Sequence, residues 1–136
     1  MLAYSTAGNQ YKQQSAMTAS PGELTLMLYD GCIKNLKLNR MYIESRDFSG
    51  ANTVSQKAQN IIAELLRSLD MRYELSGQLR SLYEFMLNEL ILSNVKKDLE
   101  KVDVVLGMVT ELRDTWQQAV RLNRQSMGST VSTAGA

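Results

Sequence analysis

The sequence predicts an all-α fold, an antiparallel four-helix bundle, from three observations. Four amphipathic segments of about 20 residues follow one another, joined by short polar links. Apolar residues recur at helical spacing, and no stretch keeps the alternate-residue pattern of a strand. The single proline, Pro21, stands where the first segment begins, a position that a helix tolerates.

Helix 1 is expected from Pro21 to about Arg46. Ser20 can accept from the free backbone N–H groups of the first turn, and Glu23 completes a capping box. Asp47-Phe48-Ser49-Gly50 reads as a short connection whose Asp or Ser caps helix 2, which runs to about Leu69. Asp70-Met71-Arg72 turns the chain into helix 3, expected from Tyr73 to Ser93, and Asn94-Val95-Lys96-Lys97 turns it again. Asp98 is the expected N-cap of helix 4, which continues past Trp116 toward Asn123. Residues 1–18 and 124–136 are low in apolar bulk. The chain therefore divides into an N-terminal segment (1–18), a bundle (19–123) and a tail (124–136) expected to be disordered.

Length and composition agree with one folded domain: 136 residues, 44% hydrophobic and 21% charged. A formal net charge of +1, with both signs mixed along the chain, gives no basic footprint for nucleic acid or anionic lipid. Cys32 is the only cysteine and has no partner for a disulfide, which suits a reducing compartment. The opening MLAYSTAGNQYKQQ has neither the basic region nor the apolar run of a signal peptide, and no segment has the ~20 apolar residues of a membrane span. A cytoplasmic protein without membrane insertion is expected.

The helix faces carry the functional signal. Helix 2 has one clean apolar face (Ala51, Val54, Ala58, Ile61, Ile62, Leu65, Leu66, Leu69), and so has helix 4 (Val102, Val105, Leu106, Val109, Leu112, Trp116, Val120). Helix 1 carries two apolar stripes. Leu26, Tyr29, Ile33, Leu36 and Ile43 form one; Leu24, Met27, Leu28, Gly31, Leu38 and Tyr42 form the other. Helix 3 turns Leu79, Leu82, Tyr83, Met86, Leu87 and Leu90 to one side, while Phe85 and Leu92 point away. A bundle helix has one core-facing side, so the surplus must be covered by the N-terminal segment, a second copy or a client peptide, or else a tilted bundle with a capping N-terminal helix absorbs it. The eight methionines suit either a surface that repacks around varied partners or simple gap filling, with Met17 and Met27 the candidates for binding.

Catalytic chemistry finds little support. The chain has no histidine, its one cysteine cannot build a zinc site, and it lacks phosphate-cradling glycine motifs and a nucleophile elbow. Asp30, Asp70, Glu84, Glu89 and Asp114 are the acids left for a small helical mutase or isomerase, and most sit on polar faces. A binding protein without cofactor or metal is expected. Asp30 stands beside Gly31, which would admit a close approach of another helix or a peptide. A glycine inside a helix costs ~1 kcal/mol relative to alanine, so a packing reason is expected there.

The stretch Thr18-Ala19-Ser20-Pro21-Gly22-Glu23-Leu24-Thr25-Leu26-Met27-Leu28-Tyr29-Asp30-Gly31 resembles the start of the flagellar secretion chaperone FliS family. Lys57-Ala58-Gln59-Asn60-Ile61-Ile62, Ser68-Leu69-Asp70, Leu82-Tyr83-Glu84-Phe85-Met86 and Leu112-Arg113-Asp114-Thr115-Trp116 resemble it further on, in the same order and spacing. The resemblance implies a four-helix bundle with a short N-terminal helical cap. It also implies a cytosolic chaperone that binds the disordered C-terminal segment of flagellin in hydrophobic grooves, prevents premature polymerisation and aids delivery to the export gate, the FlhA cytoplasmic domain. On this reading Leu24, Met27, Gly31, Tyr83, Met86, Leu87 and Leu90 are the candidate client contacts. Tyr83, Met86 and Leu90 fit the core equally well, and Trp116 reads as core. Tyr4, Tyr11 and Met17 are the candidates for an N-terminal lid that the client displaces and for export-gate contact. The alternative is a helical homodimeric adaptor or regulatory protein that takes no unfolded client.

Overall fold

The computed structural model describes residues 20–135, without the side chains of 125–135. Four helices make up the described chain: α1 (Pro21–Glu44), α2 (Phe48–Arg67), α3 (Glu74–Lys96) and α4 (Leu99–Gly135). Each packs on its sequence neighbours and α4 closes the ring against α1, which makes an antiparallel four-helix bundle. An N-terminal helical cap would lie outside the described residues.

Local chemistry sets the ends. Ser20 Oγ accepts from the Glu23 N–H at 3.2 Å, and Pro21 opens α1. The Glu23 carboxylate does not turn back to the cap; it pairs with Arg124 of α4. Asp47 caps α2 by accepting from the Gly50 N–H at 3.0 Å, and Asp98 Oδ1 accepts from the Glu100 N–H at 3.0 Å to cap α4. Two corrections follow at the other boundaries. α3 continues to Lys96 because Asn94 reaches across to Asn52 of α2 at 2.7 Å and the turn is delayed to Lys97. The helical backbone of α4 also runs past Asn123 to Gly135, across the boundary expected for a disordered tail.

Arg46 (φ 62°) and Lys97 (φ 54°) adopt the left-handed conformation at the α1–α2 and α3–α4 links. In an antiparallel bundle those two links share one end, and the α2–α3 link occupies the other. There Asp70 accepts from the Arg72 backbone and guanidinium, which holds its carboxyl below the usual carboxylate range.

Tyr29, Cys32, Ile33 and Leu36 of α1, Ala58, Ile62 and Leu65 of α2, Tyr83, Met86 and Leu90 of α3, and Val102, Val105 and Val109 of α4 form one buried core. Burial pushes the Cys32 thiol up to about 12, so it behaves as a small apolar filler. Asn39 is buried with its amide donating to the Ala51 carbonyl at 2.8 Å, tying α1 to the first turn of α2. Among the described residues no helix is long and apolar enough to cross a membrane.

Candidate functional site

The second apolar stripe of α1 is for the most part an internal seam. A Cβ at Gly31 would sit 3.3 Å from Ile61 Cδ1, so this glycine lets α2 approach closely, and Leu28 and Tyr42 pack against the core beside it. The close approach expected at Gly31 is made by α2. Leu24 stays exposed, and Met27 and Leu38 are half-buried, so of this stripe these three remain open to a partner.

Helix α3 calls for a larger correction. Tyr83, Met86 and Leu90, named as client contacts, are at most 2% exposed and lie in the core. No client reaches them while the helices stay packed. Leu87 is half-buried against the same core. Tyr4, Tyr11 and Met17 lie outside the described residues.

The uncovered surface lies one position earlier on the same helix. Leu82 (38%), Phe85 (47%) and Leu92 (40%) remain exposed, as does Val104 (45%) of α4. At about 100° per residue, Leu82, Phe85, Glu89 and Leu92 share one flank of α3. That flank faces α4, because Glu89 pairs with Lys101 at 3.2 Å and Leu82 borders a 310 Å³ hollow with Met108, Glu111, Leu112 and Thr115. The α3–α4 seam is thus an apolar groove with one ion pair across it.

The sequence contained a signal for this groove. Leu82-Tyr83, Phe85-Met86, Val104-Val105 and Met108-Val109 are apolar doublets whose second member is buried. In each, the first member lies about 100° around toward the opposite helix. Such doublets widen the apolar face of both helices toward their shared seam.

A second opening, of 460 Å³, lies at the end of the bundle that carries the α2–α3 link. Pro21 and Gly22 of α1, Leu65 and Leu69 of α2, Leu75 and Leu79 of α3, and Trp116 of α4 contribute to its walls. Trp116, expected in the core, is only partly buried. Its indole donates to the Gly22 carbonyl at 3.0 Å and meets Tyr29 edge-on at 6.3 Å between ring centres. The Tyr29 and Tyr83 hydroxyls hydrogen-bond to each other. Burial first, then the mutual bond, raises the Tyr29 phenol; burial also raises that of Tyr83, and the same bond partly offsets it.

The acids considered for catalysis are spread over the bundle. Asp30 and Asp114 flank Arg113 at 3.6 and 3.2 Å on the α1–α4 face, Asp70 is in the α2–α3 link, Glu84 pairs with Arg80, and Glu89 bridges the groove. Among the described residues no three His, Cys, Asp or Glu side chains are placed to hold a metal ion.

A family model described as flagellar protein FliS matches residues 4–123. The flagellar secretion chaperone FliS of Bacillus subtilis (strain 168) is 44% identical over 115 residues, covering 85% of this chain and 86% of the relative. The protein of the same name from Salmonella typhimurium is 30% identical over 109 residues, covering 78% and 81%. In structure, a crystal structure described as a flagellar chaperone from bacteria superposes with a TM-score of 0.70 over 85% of this chain and 96% of that one, at 21% identity.

Proposed function

Because this chain belongs to the flagellar protein FliS family, we propose that it is a cytoplasmic export chaperone that holds the disordered C-terminal segment of flagellin. One observation carries the reading: the α3–α4 groove, where Leu82, Phe85, Leu92 and Val104 stay exposed with no part of the described chain to cover them. Contiguous uncovered apolar surface on a folded domain marks a site of interaction. A flexible, apolar segment can follow such a seam, giving up several kcal/mol of disorder in exchange for wide contact. A flagellin segment held there is kept from polymerising and can be handed to the export gate, the FlhA cytoplasmic domain.

The segment preceding Ser20 is proposed as a lid that competes with the client, with Tyr4, Tyr11 and Met17 as its contacts and Tyr11 also serving the export gate. What supports a lid is connection: the segment joins the bundle at Ser20, directly before Pro21 and Gly22 in the wall of the end cleft.

Titration with a flagellin C-terminal peptide by calorimetry tests the proposal. Saturable binding with a negative heat-capacity change is expected. Absence of heat, together with sedimentation as a dimer that ignores the peptide, would replace it with the homodimeric adaptor.

A further inference from the structure

The mixing of charge along the chain stops at its two ends. All 14 Asp and Glu residues lie between Glu23 and Asp114, whereas Lys12, Arg121 and Arg124 fall outside those bounds. The stretches 1–22 and 115–136 are therefore cationic and hold no acidic side chain, and the body of the bundle between them is slightly acidic. They meet at the α1–α4 corner, where a Cβ at Gly22 would sit 3.2 Å from Val120 Cγ2 and the Trp116 indole bonds to the Gly22 carbonyl. The positive end of the α1 backbone dipole opens at the same corner.

This corner carries a hollow of 210 Å³ walled by Glu23, Leu26, Gln117, Val120, Arg121 and Arg124. Leu26 and Val120 are half-buried and give it an apolar part. Glu23 answers Arg124. Arg121 is exposed and has no partner among the described residues, and no residue before Ser20 or after Arg124 has an acidic side chain to offer it. An exposed arginine is content in water; what singles out Arg121 is the half-apolar hollow that it borders.

We propose that this corner docks an acidic peptide segment of a second protein, one carboxylate pairing with Arg121 while an adjoining apolar side chain covers Leu26 and Val120. Two points select that occupant. The hollow is smaller than the ~300–1,000 Å³ of small-molecule sites, so it takes a single side chain rather than a free ligand. Neither end of this chain can supply a matching acidic side chain, and a cationic corner on a slightly acidic body steers an acidic partner toward it. The corner is separate from the α3–α4 groove: α4 turns Asp103, Arg113 and Arg124 toward α1, and Lys101, Met108 and Leu112 toward α3. The inference therefore does not depend on the chaperone reading, and both surfaces can be occupied at once.

The probe is a synthetic peptide of repeating Asp-Asp-Leu, titrated into the isotope-labelled full chain and followed by amide chemical shifts, beside Asp-Asp-Gly and Lys-Lys-Leu repeats. Saturable shifts centred on Leu26, Gln117 and Val120 are expected with Asp-Asp-Leu, and weaker binding with Asp-Asp-Gly. Arg121→Ala should melt with the unsubstituted chain and weaken binding about 3- to 5-fold, the worth of one exposed arginine–carboxylate pair. Arg121→Glu should lose the acidic probe and gain Lys-Lys-Leu, an exchange that a merely structural role would not produce. Prior saturation with a flagellin C-terminal peptide should leave the affinity unchanged. Equal binding of the acidic and basic repeats to the unsubstituted chain, shifts scattered over the whole bundle, or full affinity in Arg121→Ala would overturn the proposal. Displacement by the flagellin peptide would assign the corner to the client instead, and shifts that follow protein concentration without any peptide would assign it to a second copy; either result overturns it too.

Discussion

Phe85→Ala should weaken client binding about tenfold while costing the free protein little, and the arithmetic follows from how the ring sits. A phenylalanine presents roughly 200 Å², and with 47% of it exposed about 90 Å² still meets water. Covering most of that area at ~25 cal/mol per Å² contributes ~2 kcal/mol, reduced to ~1.4 by incomplete contact, which is a factor of ten in Kd. Because the ring fills no enclosed space, the free fold should lose only about 1 kcal/mol. Ile91 is the matched control. It is 45% exposed on the same helix but lies on the flank of Asn94, which reaches α2. Calorimetric titration of both variants with a flagellin C-terminal peptide, beside their thermal melts, decides the matter. Equal affinity losses in the two, or a loss at Ile91 alone, would refute the placement of the client in the α3–α4 groove.

Leu90→Ala should behave in the opposite way, lowering stability by ~2–5 kcal/mol in urea unfolding, since the side chain is fully enclosed by the core. Stability should hold through neutral pH and then fall in alkali. Cys32, raised from its ordinary 9.0 to about 12, stays protonated when folded while the unfolded chain gives up its proton. Each such group therefore loses up to ~1.4 kcal/mol per pH unit above pH 9, and Cys32→Ala should flatten the slope seen in pH-dependent melts. Removing residues 1–17 should speed peptide association in stopped flow, because a competing lid lowers the fraction of molecules open to the client; an unchanged or slower rate argues against the lid.

Helix number, order and most boundaries were legible because each rests on short-range chemistry: Ser20 before Pro21, Asp47 before a polar turn, Asp98 before the long apolar stripe of α4. The end of α3 was missed because Asn94 looks like a turn former in sequence, while in the fold its amide is occupied by Asn52. The site was half legible. Periodicity identified Phe85 and Leu92 as surplus and put Tyr83, Met86 and Leu90 on the inward face, where they lie, yet it placed Leu82 inside with them; it was the family resemblance that named Tyr83, Met86 and Leu90 for the client. Two apolar stripes on one helix look alike until a neighbour selects which turns inward, and that selection is a long-range fact. Gly31 teaches the same point: a missing side chain announces a close approach without naming what approaches, and Ile61 answers it here.

The two left-handed residues, Arg46 and Lys97, have a mechanical consequence. A side-chain-bearing residue adopts that conformation at a cost of ~1 kcal/mol or more to close links of only three and two residues, so these hairpins have no slack to lengthen. Splaying of the helices is therefore pinned at that end, and local opening must start from the opposite end and travel inward, as a clothes peg opens from its jaws. Amide exchange should accordingly run fastest around Gly22–Thr25 and Glu74–Gln78 and slowest near Ile43, Ala51 and Ser93.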